Sequence, residues 1–455
     1  MKIKYLYIFV VVLIAQKTVE AQTLKRKAML GVMMQTLTDS IALENDLDIE
    51  NGVYINDVMP NSTFSNLGVK EGDVLIKINR ESVKTVQEVL LITGKLYEDD
   101  VIEIEFYSNR GLKKASTHLL SKPIETFLNG DVFYDEVVYD GNILRNILVT
   151  PKSNKRPPVV YFLQGYTCSS IEIVSNDSPM KKLMEDWLDA GFAIYRIEKP
   201  GVGDSKSNKH CIELDFNEEL KAFEQGYINL LKIDTVDTDN IFLFGHSMGG
   251  VIAPVLNNIH TPRGIMVYGT VGKNWHDYMV DLYTKQPKHF GVSEEQIRED
   301  SRVNLKFNED LLIRKLNGAE ILKNKDYVNF FNAEDLKRNQ YLGRHLIFWQ
   351  TLADIKVQDV WSKINTNVLA MHGEFDIQAI NPQGAQKIVE VVNSNKGMAT
   401  FLLIKNADHG FVNFKTMQQN VEVLNNGTYR NHAQNNYSIM LGEESVNWMR
   451  YILNQ

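Results

Sequence analysis

The stretch IFLFGHSMGGVI, Ile241 to Ile252, constrains the fold more than any other part of the chain. Four apolar residues run into Gly245-His246-Ser247-Met248-Gly249, and a second apolar run follows at once. The first run reads as a buried strand and the second as a helix. A turn this sharp between them holds its serine at positive φ, and only small residues two before and two after avoid a clash. Gly245 and Gly249 meet that need. Chance alone gives Gly-x-Ser-x-Gly on the order of 0.1 to 0.2 times in a chain of this size, so the pentapeptide counts mainly through its context. Ser247 is then either a nucleophile or a serine in a glycine-rich turn.

From about residue 125 onward strands and helices alternate around that turn. DVFYDEVVYDGNILRNILVTPK reads as two strands joined at Asp140-Gly141, a strong hairpin signal. After the polar KSNKRPP come the strand VVYFLQG, a helix from Pro179 to Ala190, the strand FAIYRIE, a helix from Asn217 to Leu231, IFLFG, a helix from Met248 to Ile259, and GIMVYGTV. This succession predicts an α/β fold, a mainly parallel sheet with helices on both faces. In the first helix Ser178 is placed to cap, Pro179 suits the first turn, Met180, Leu183 and Trp187 share a face, and Gly191 ends it. About 95 residues, 272–365, separate GIMVYGTV from NVLAMHG. So long a connection, with helical spacing and aromatics, predicts an inserted helical cap.

Residues 24–122 have another pattern: MLGVMMQ, GVYINDV, DVLIKIN and VIEIEFY are short strand-like runs broken by Gly, Asn and Asp, with little helix between. NSTFSNLGVKEGDVLIKINRESV resembles the PDZ domain of bacterial secreted and periplasmic proteases. That resemblance implies an extended peptide laid along a sheet edge, its terminal carboxylate held by backbone N–H groups. Leu30, Gly31, Val32 and Met33 stand where the family's carboxylate loop lies, and a helix from Val86 to Ile92 forms the other wall. Gly31 lets the backbone approach the anion. A packing module with an unused groove is the alternative.

The chain has 455 residues, 44% hydrophobic and 23% charged, which fits two domains or one large one and excludes wholesale disorder or a multi-span membrane protein. At its start, Lys2 and Lys4 precede an apolar run from Tyr5 to Ala15, and Val19-Glu20-Ala21 follows. These are the parts of a secretory leader, residues 1–21, cleaved after Ala21. An apolar run of that length is well short of the roughly 20 residues that span a bilayer, so no stable membrane span is expected in the mature chain. Cleavage lowers the formal net charge from −8 to −10, which argues against nucleic acid and anionic membrane as partners. Exported protein in the periplasm or medium is the expected location, the periplasm being implied by the bacterial-type PDZ resemblance.

Residues 125–455 resemble the α/β-hydrolase family, in particular its capped esterases and related serine hydrolases. The family's order is Ser, then an acid after a late strand, then His near the C-terminus. NVLAMHGEFDIQ puts Asp376 just past a strand, and ATFLLIKNADHGF puts His409 just past the next. A serine hydroxyl is a weak nucleophile near neutral pH, so His409 must take its proton and Asp376 must orient the imidazolium. Glu374 and Asp408 are the competing carboxylates. The oxyanion donors implied are the N–H of Met248, next to the nucleophile, and that of Tyr166 in YFLQGYT, where Gln164 replaces the family's usual histidine. Cys168 and Cys211 follow strands that are neighbours in the family's sheet, which implies a disulfide; two buried free thiols are the alternative. Gly201-Val202-Gly203 lacks the third glycine of a dinucleotide fingerprint. The histidines are scattered, with no His-Glu-x-x-His, so neither metal nor cofactor is expected.

The reading is an exported serine hydrolase acting on small carboxylic esters, with a PDZ groove for a peptide C-terminus. Two others compete: a serine aminopeptidase-like or oligopeptide hydrolase with the same triad, and a PDZ binding module whose hydrolase domain is inactive.

Overall fold

The structure is a computed structural model and describes residues 24–108 and 111–455; the expected leader, 1–21, lies outside them. Two sheets organise the chain. The first is antiparallel: β1 (Val32–Thr36), β2 (Val53–Val58), β3 (Val74–Ile78), β4 (Glu81–Ser82), β5 (Val101–Ser108) and β6 (Gly111–His118), in the order β1-β2-β3-β5-β6 with β4 on β3. Its core gathers Val53, Ile55, Phe64, Leu75, Ile104 and Phe106. β1 lies at the edge of this sheet. A helix, Val86–Thr93, opens with a capping box in which the Thr85 hydroxyl accepts from the Glu88 N–H while Glu88 accepts from Thr85. Its Val86 N–H also donates to Thr36 Oγ1 at 3.2 Å, tying the helix to the edge strand.

The second sheet has β7 (Gly130–Tyr139), β8 (Asn142–Pro151), β9 (Pro158–Leu163), β10 (Ala193–Ile197), β11 (Asp237–His246) and β12 (Gly264–Tyr268). A two-stranded ribbon, β13 (Gln340–Tyr341) with β14 (Arg344–His345), intervenes before β15 (Asn367–Gly373) and β16 (Met398–Ile404) complete it. The order is β16-β15-β12-β11-β9-β10-β8-β7, antiparallel only at β7–β8 and β8–β10. The β7–β8 turn takes Asp140 at φ 44° and Gly141 at φ 79°, the double positive φ that suits a two-residue hairpin.

Alternation along each strand feeds two cores. Val159, Tyr161 and Leu163 of β9 face one, and Val160 and Phe162 the other. Helices Phe216–Leu230 and Gly249–Leu256 cover the first face, while Pro179–Asp189 and Ile439–Leu453 cover the second. The Pro179 helix begins without the expected cap: Ser178 sits at the N-cap but its hydroxyl makes no capping bond. Proline at the first position has no N–H of its own, and the N–H groups of the next two positions, which a cap would serve, donate no bond to the Ser178 hydroxyl. Gly191, at φ 94°, follows its end.

Because β9 lies between β10 and β11, the chain leaves it in one direction and returns on its other side. Such a reversal opens a crevice at the carboxyl ends of the strands. Helices Trp275–Thr284, Glu294–Asn308 and Leu346–Ala353 come from the segment between β12 and β15, and Trp275, Tyr278 and Trp349 reach the cavity there.

Candidate active site

Ser247 follows β11 directly and has φ 56°. The strain holds because nothing larger than glycine fits beside it: a Cβ at Gly249 would lie 2.0 Å from the Leu163 carbonyl oxygen, and one at Gly245 would lie 2.6 Å from that of Gly249. Ser247 N–H donates to the Tyr268 carbonyl at 2.9 Å and its own carbonyl accepts from Gly250 at 3.0 Å, so the turn is bonded on both sides. Its side chain faces a cavity of about 780 Å³ that also receives His409.

His409 Nδ1 donates to Asp376 Oδ2 at 2.8 Å, and the other Asp376 oxygen accepts from the Ala379 N–H at 2.8 Å. Asp376 is 1% exposed. Burial raises its pKa, but the imidazole's charge and hydrogen bond outweigh that and leave it below the ordinary value. Burial would likewise lower His409, yet the Asp376 charge and hydrogen bond, with Asp408 beyond, hold it above the ordinary value. The two competing carboxylates are engaged elsewhere. Asp408 accepts from the Gly410 and Val412 N–H groups and from the Tyr429 hydroxyl, while Glu374 accepts from the Asn406 N–H and pairs with Lys405.

Tyr166 and Met248 line the same cavity, and neither N–H is bonded to another described residue. Gly165 is close to the serine, since a Cβ built on it would lie 3.5 Å from Ser247 Oγ. Cys168 and Cys211 are joined by a disulfide that links the loop after β9 to that after β10. Leu30 and Gly31 immediately precede β1, with Gly31 at φ 75°, and Val32 and Met33 open the strand with the Met33 side chain exposed.

Several side chains that shape the site gave no sequence signal of their role. His246 Nε2–H donates to the His409 carbonyl at 2.9 Å, and burial, then the neighbouring His409, pushes its pKa down to about 3, so it remains neutral. Its place beside the serine was the available hint. Glu172 lines the cavity but is drawn back by Arg26, by Lys122 at 2.7 Å and by the Tyr134 hydroxyl. Arg26 also pairs with Asp204 at 2.6 Å, where Arg145 joins at 3.3 Å. Arg26 enters the first sheet's side of the molecule only four residues before Leu30. Among the described residues no group of three or more His, Cys, Asp or Glu is placed to hold a metal ion, and no helix is long and apolar enough to cross a membrane.

The parallel sheet with a strained serine after β11, together with the smaller edge-strand domain, defines an α/β hydrolase carrying a PDZ domain. The chain belongs to the family described as serine aminopeptidase, S33, whose model matches residues 177–413, just over half of its length; a PDZ-domain model matches residues 22–94. Among curated relatives, a probable periplasmic serine endoprotease DegP-like from Marinomonas sp. is 29% identical over 97 residues, 21% of this chain and 21% of that one. The periplasmic pH-dependent serine endoprotease DegQ of Escherichia coli is 28% identical over 76 residues, 17% of this chain and 16% of that one. The chain thus spans about a fifth or less of the length of these curated relatives. Among solved structures, Est1E from Butyrivibrio proteoclasticus aligns at TM-score 0.43 and 14% identity, covering 71% of this chain and 99% of that one. The acylaminoacyl peptidase of Pyrococcus horikoshii aligns at 0.42 and 11%, covering 74% and 48%.

Proposed function

We propose that the protein is an exported serine hydrolase that cleaves carboxylic esters of neutral, largely apolar acyl groups, with Ser247, His409 and Asp376 as its triad. Ser247 attacks the acyl carbonyl as His409 takes the hydroxyl proton, and Asp376 holds the resulting imidazolium. The N–H groups of Met248 and Tyr166 receive the oxyanion. On collapse His409 returns the proton to the departing alcohol, and a water activated by the same imidazole then releases the acid.

The observation that carries the ester reading is the charge of the cavity wall. Apart from the histidines His246 and His409, Glu172 is the only ordinarily charged residue lining it among the described residues, and Arg26 and Lys122 already neutralise it. An aminopeptidase needs a carboxylate for the substrate's free ammonium, because an unpaired cation is expensive to desolvate. Here the wall is instead aromatic, with Trp275 stacked on Trp349 at 5.2 Å and Tyr166 at 5.4 Å from Trp349. Neutral p-nitrophenyl esters should therefore be turned over at least about 10²-fold faster in kcat/KM than p-nitrophenyl esters of amino acids with a free ammonium; with the leaving group held constant, the difference corresponds to at least about 2.7 kcal/mol of transition-state binding. The reverse ranking would move the assignment to the peptidase reading. Absence of fluorophosphonate label on Ser247 in folded protein would move it to an inactive hydrolase domain on a binding module.

Three further assignments belong to the same proposal. Residues 1–21 form a cleaved leader, and the Cys168–Cys211 bridge suits the oxidising compartment to which a leader directs a chain. Residues 24–122 form the PDZ domain and 125–455 the hydrolase domain, whose cap is about 272–365. The groove between β1 and helix Val86–Thr93, closed by Leu30, Gly31, Val32 and Met33, takes a peptide C-terminus. By fluorescence anisotropy, peptides ending in a free carboxylate should bind while their C-terminal amides do not; equal binding of both would remove the carboxylate role of this loop.

A further inference from the structure

Beneath the loop that carries Tyr166 lies a charge cluster that the triad does not use. Lys199 Nζ is 2.8 Å from Glu219 Oε1 and Arg344 Nη2 is 2.7 Å from Glu219 Oε2, with side-chain exposures of 0 to 1%. Each cation has a second contact. Lys199 Nζ donates to the Gly165 carbonyl at 2.7 Å, and Arg344 Nη1 donates to the Tyr166 carbonyl at 2.6 Å. The three residues come from the loop after β10, helix Phe216–Leu230 and β14, so separate parts of the fold converge on two consecutive peptide groups.

We infer that Lys199, Glu219 and Arg344 are positioning residues that set the orientation of the Gly165–Tyr166 peptide and so aim the Tyr166 N–H at the oxyanion. The inference rests on the acyl-transfer reading above. In a trans peptide the C=O and the following N–H point in opposite directions. Lys199 grips the Gly165 oxygen, so the N–H of Tyr166 turns to the other side of the plane. Arg344 grips the next carbonyl and stops the loop from rotating about Tyr166. Glu219 takes both cations on one carboxylate, setting their spacing. Gly165 meanwhile sits against Ser247.

Packing alone does not account for such a cluster. Burying two cations and a carboxylate incurs several kcal/mol of desolvation per ion, and apolar side chains of similar volume are often as stable or more so. Apolar side chains cannot hold two carbonyl oxygens in place. An oxyanion donor acts through being aimed beforehand, with no reorganisation when charge develops.

Lys199→Met keeps the length of the side chain and leaves Glu219 its Arg344 partner. It is expected to lower kcat on a p-nitrophenyl ester by about 10²-fold, with KM within about threefold of wild type. Affinity for a boronic acid, which mimics the tetrahedral species, should fall in parallel. Arg344→Lys retains the charge and gives up the two-pronged contact, and should lower kcat about tenfold with KM again little changed. Melting curves and circular dichroism establish the folded fraction to which rates are normalised. If Lys199→Met does not fold, Arg344→Lys decides: wild-type kcat and boronate affinity per folded molecule would overturn the inference. Equal losses in KM alone would also overturn it, since aiming an oxyanion donor acts on the transition state. A labelled, active wild type with unchanged variants refutes only this inference; a wild type that neither hydrolyses esters nor takes fluorophosphonate refutes the acyl-transfer reading as well.

Discussion

Ser247→Ala is expected to reduce ester turnover by about 10⁴- to 10⁶-fold while leaving the fold and substrate affinity near wild type. The size of the effect follows from the arrangement of the turn. The alanine Cβ occupies the same positive-φ position that the serine already tolerates, so neither the backbone bonds to Tyr268 and Gly250 nor the packing against Leu163 need change. What disappears is the only atom able to form the acyl-enzyme in this scheme. Stopped-flow measurement with a p-nitrophenyl ester should show a burst for wild type and none for the variant. Substantial residual turnover, with a burst, would locate the nucleophile elsewhere in the chain.

Asp376→Asn should lower kcat by about 10⁴-fold and displace its pH dependence. In wild type the base must be neutral to act. Since His409 holds its proton to a higher pH than an ordinary imidazole, the acid limb of kcat/KM should have its midpoint above 6.5. Asparagine removes the main influence that opposes burial, and the Asp408 charge is the weaker one that remains. The residual activity should therefore lose its acid limb at lower pH than wild type does. Asparagine also presents an amide that can favour the wrong imidazole tautomer, which is why the rate falls although the charged form is no longer favoured. A limb that stays in place after the substitution would show that some group other than His409 is being titrated.

Much of the hydrolase half is legible in the chain because local pattern and tertiary role coincide there. Apolar runs such as VVYFLQG and IFLFG become central strands buried on both faces, and the helices between them keep their apolar stripes. The hairpin at Asp140-Gly141 is equally local, since the two residues themselves supply the positive φ it requires. The Ser178 position is legible as the N-cap, but the bond is not, since it depends on where the hydroxyl turns. The buried ions are different. Lys199, Glu219 and Arg344 are spread over more than a hundred positions, and each looks like a solvated surface charge until β9, β10 and the segment before β15 are brought together. His246 likewise reads as part of a glycine-rich turn, although its ring bonds the backbone of His409 far along the chain. The choice among Glu374, Asp376 and Asp408 depends on which carboxylate meets the His409 ring, and that appears only in three dimensions.

Arg26 links the two domains in a way that bears on separating them. It lies on the segment leading into the smaller domain, yet its guanidinium serves Glu172 in the cavity wall and Asp204 in the loop beyond β10. Severing the polypeptide just after it would keep the guanidinium with the wrong fragment; severing before the hydrolase would take both Arg26 and Lys122 from Glu172, leaving it the Tyr134 hydroxyl, and would leave Asp204 to Arg145. Replacing the smaller domain together with the segment that leads into it would therefore strip one guanidinium from two carboxylates of the larger domain at once.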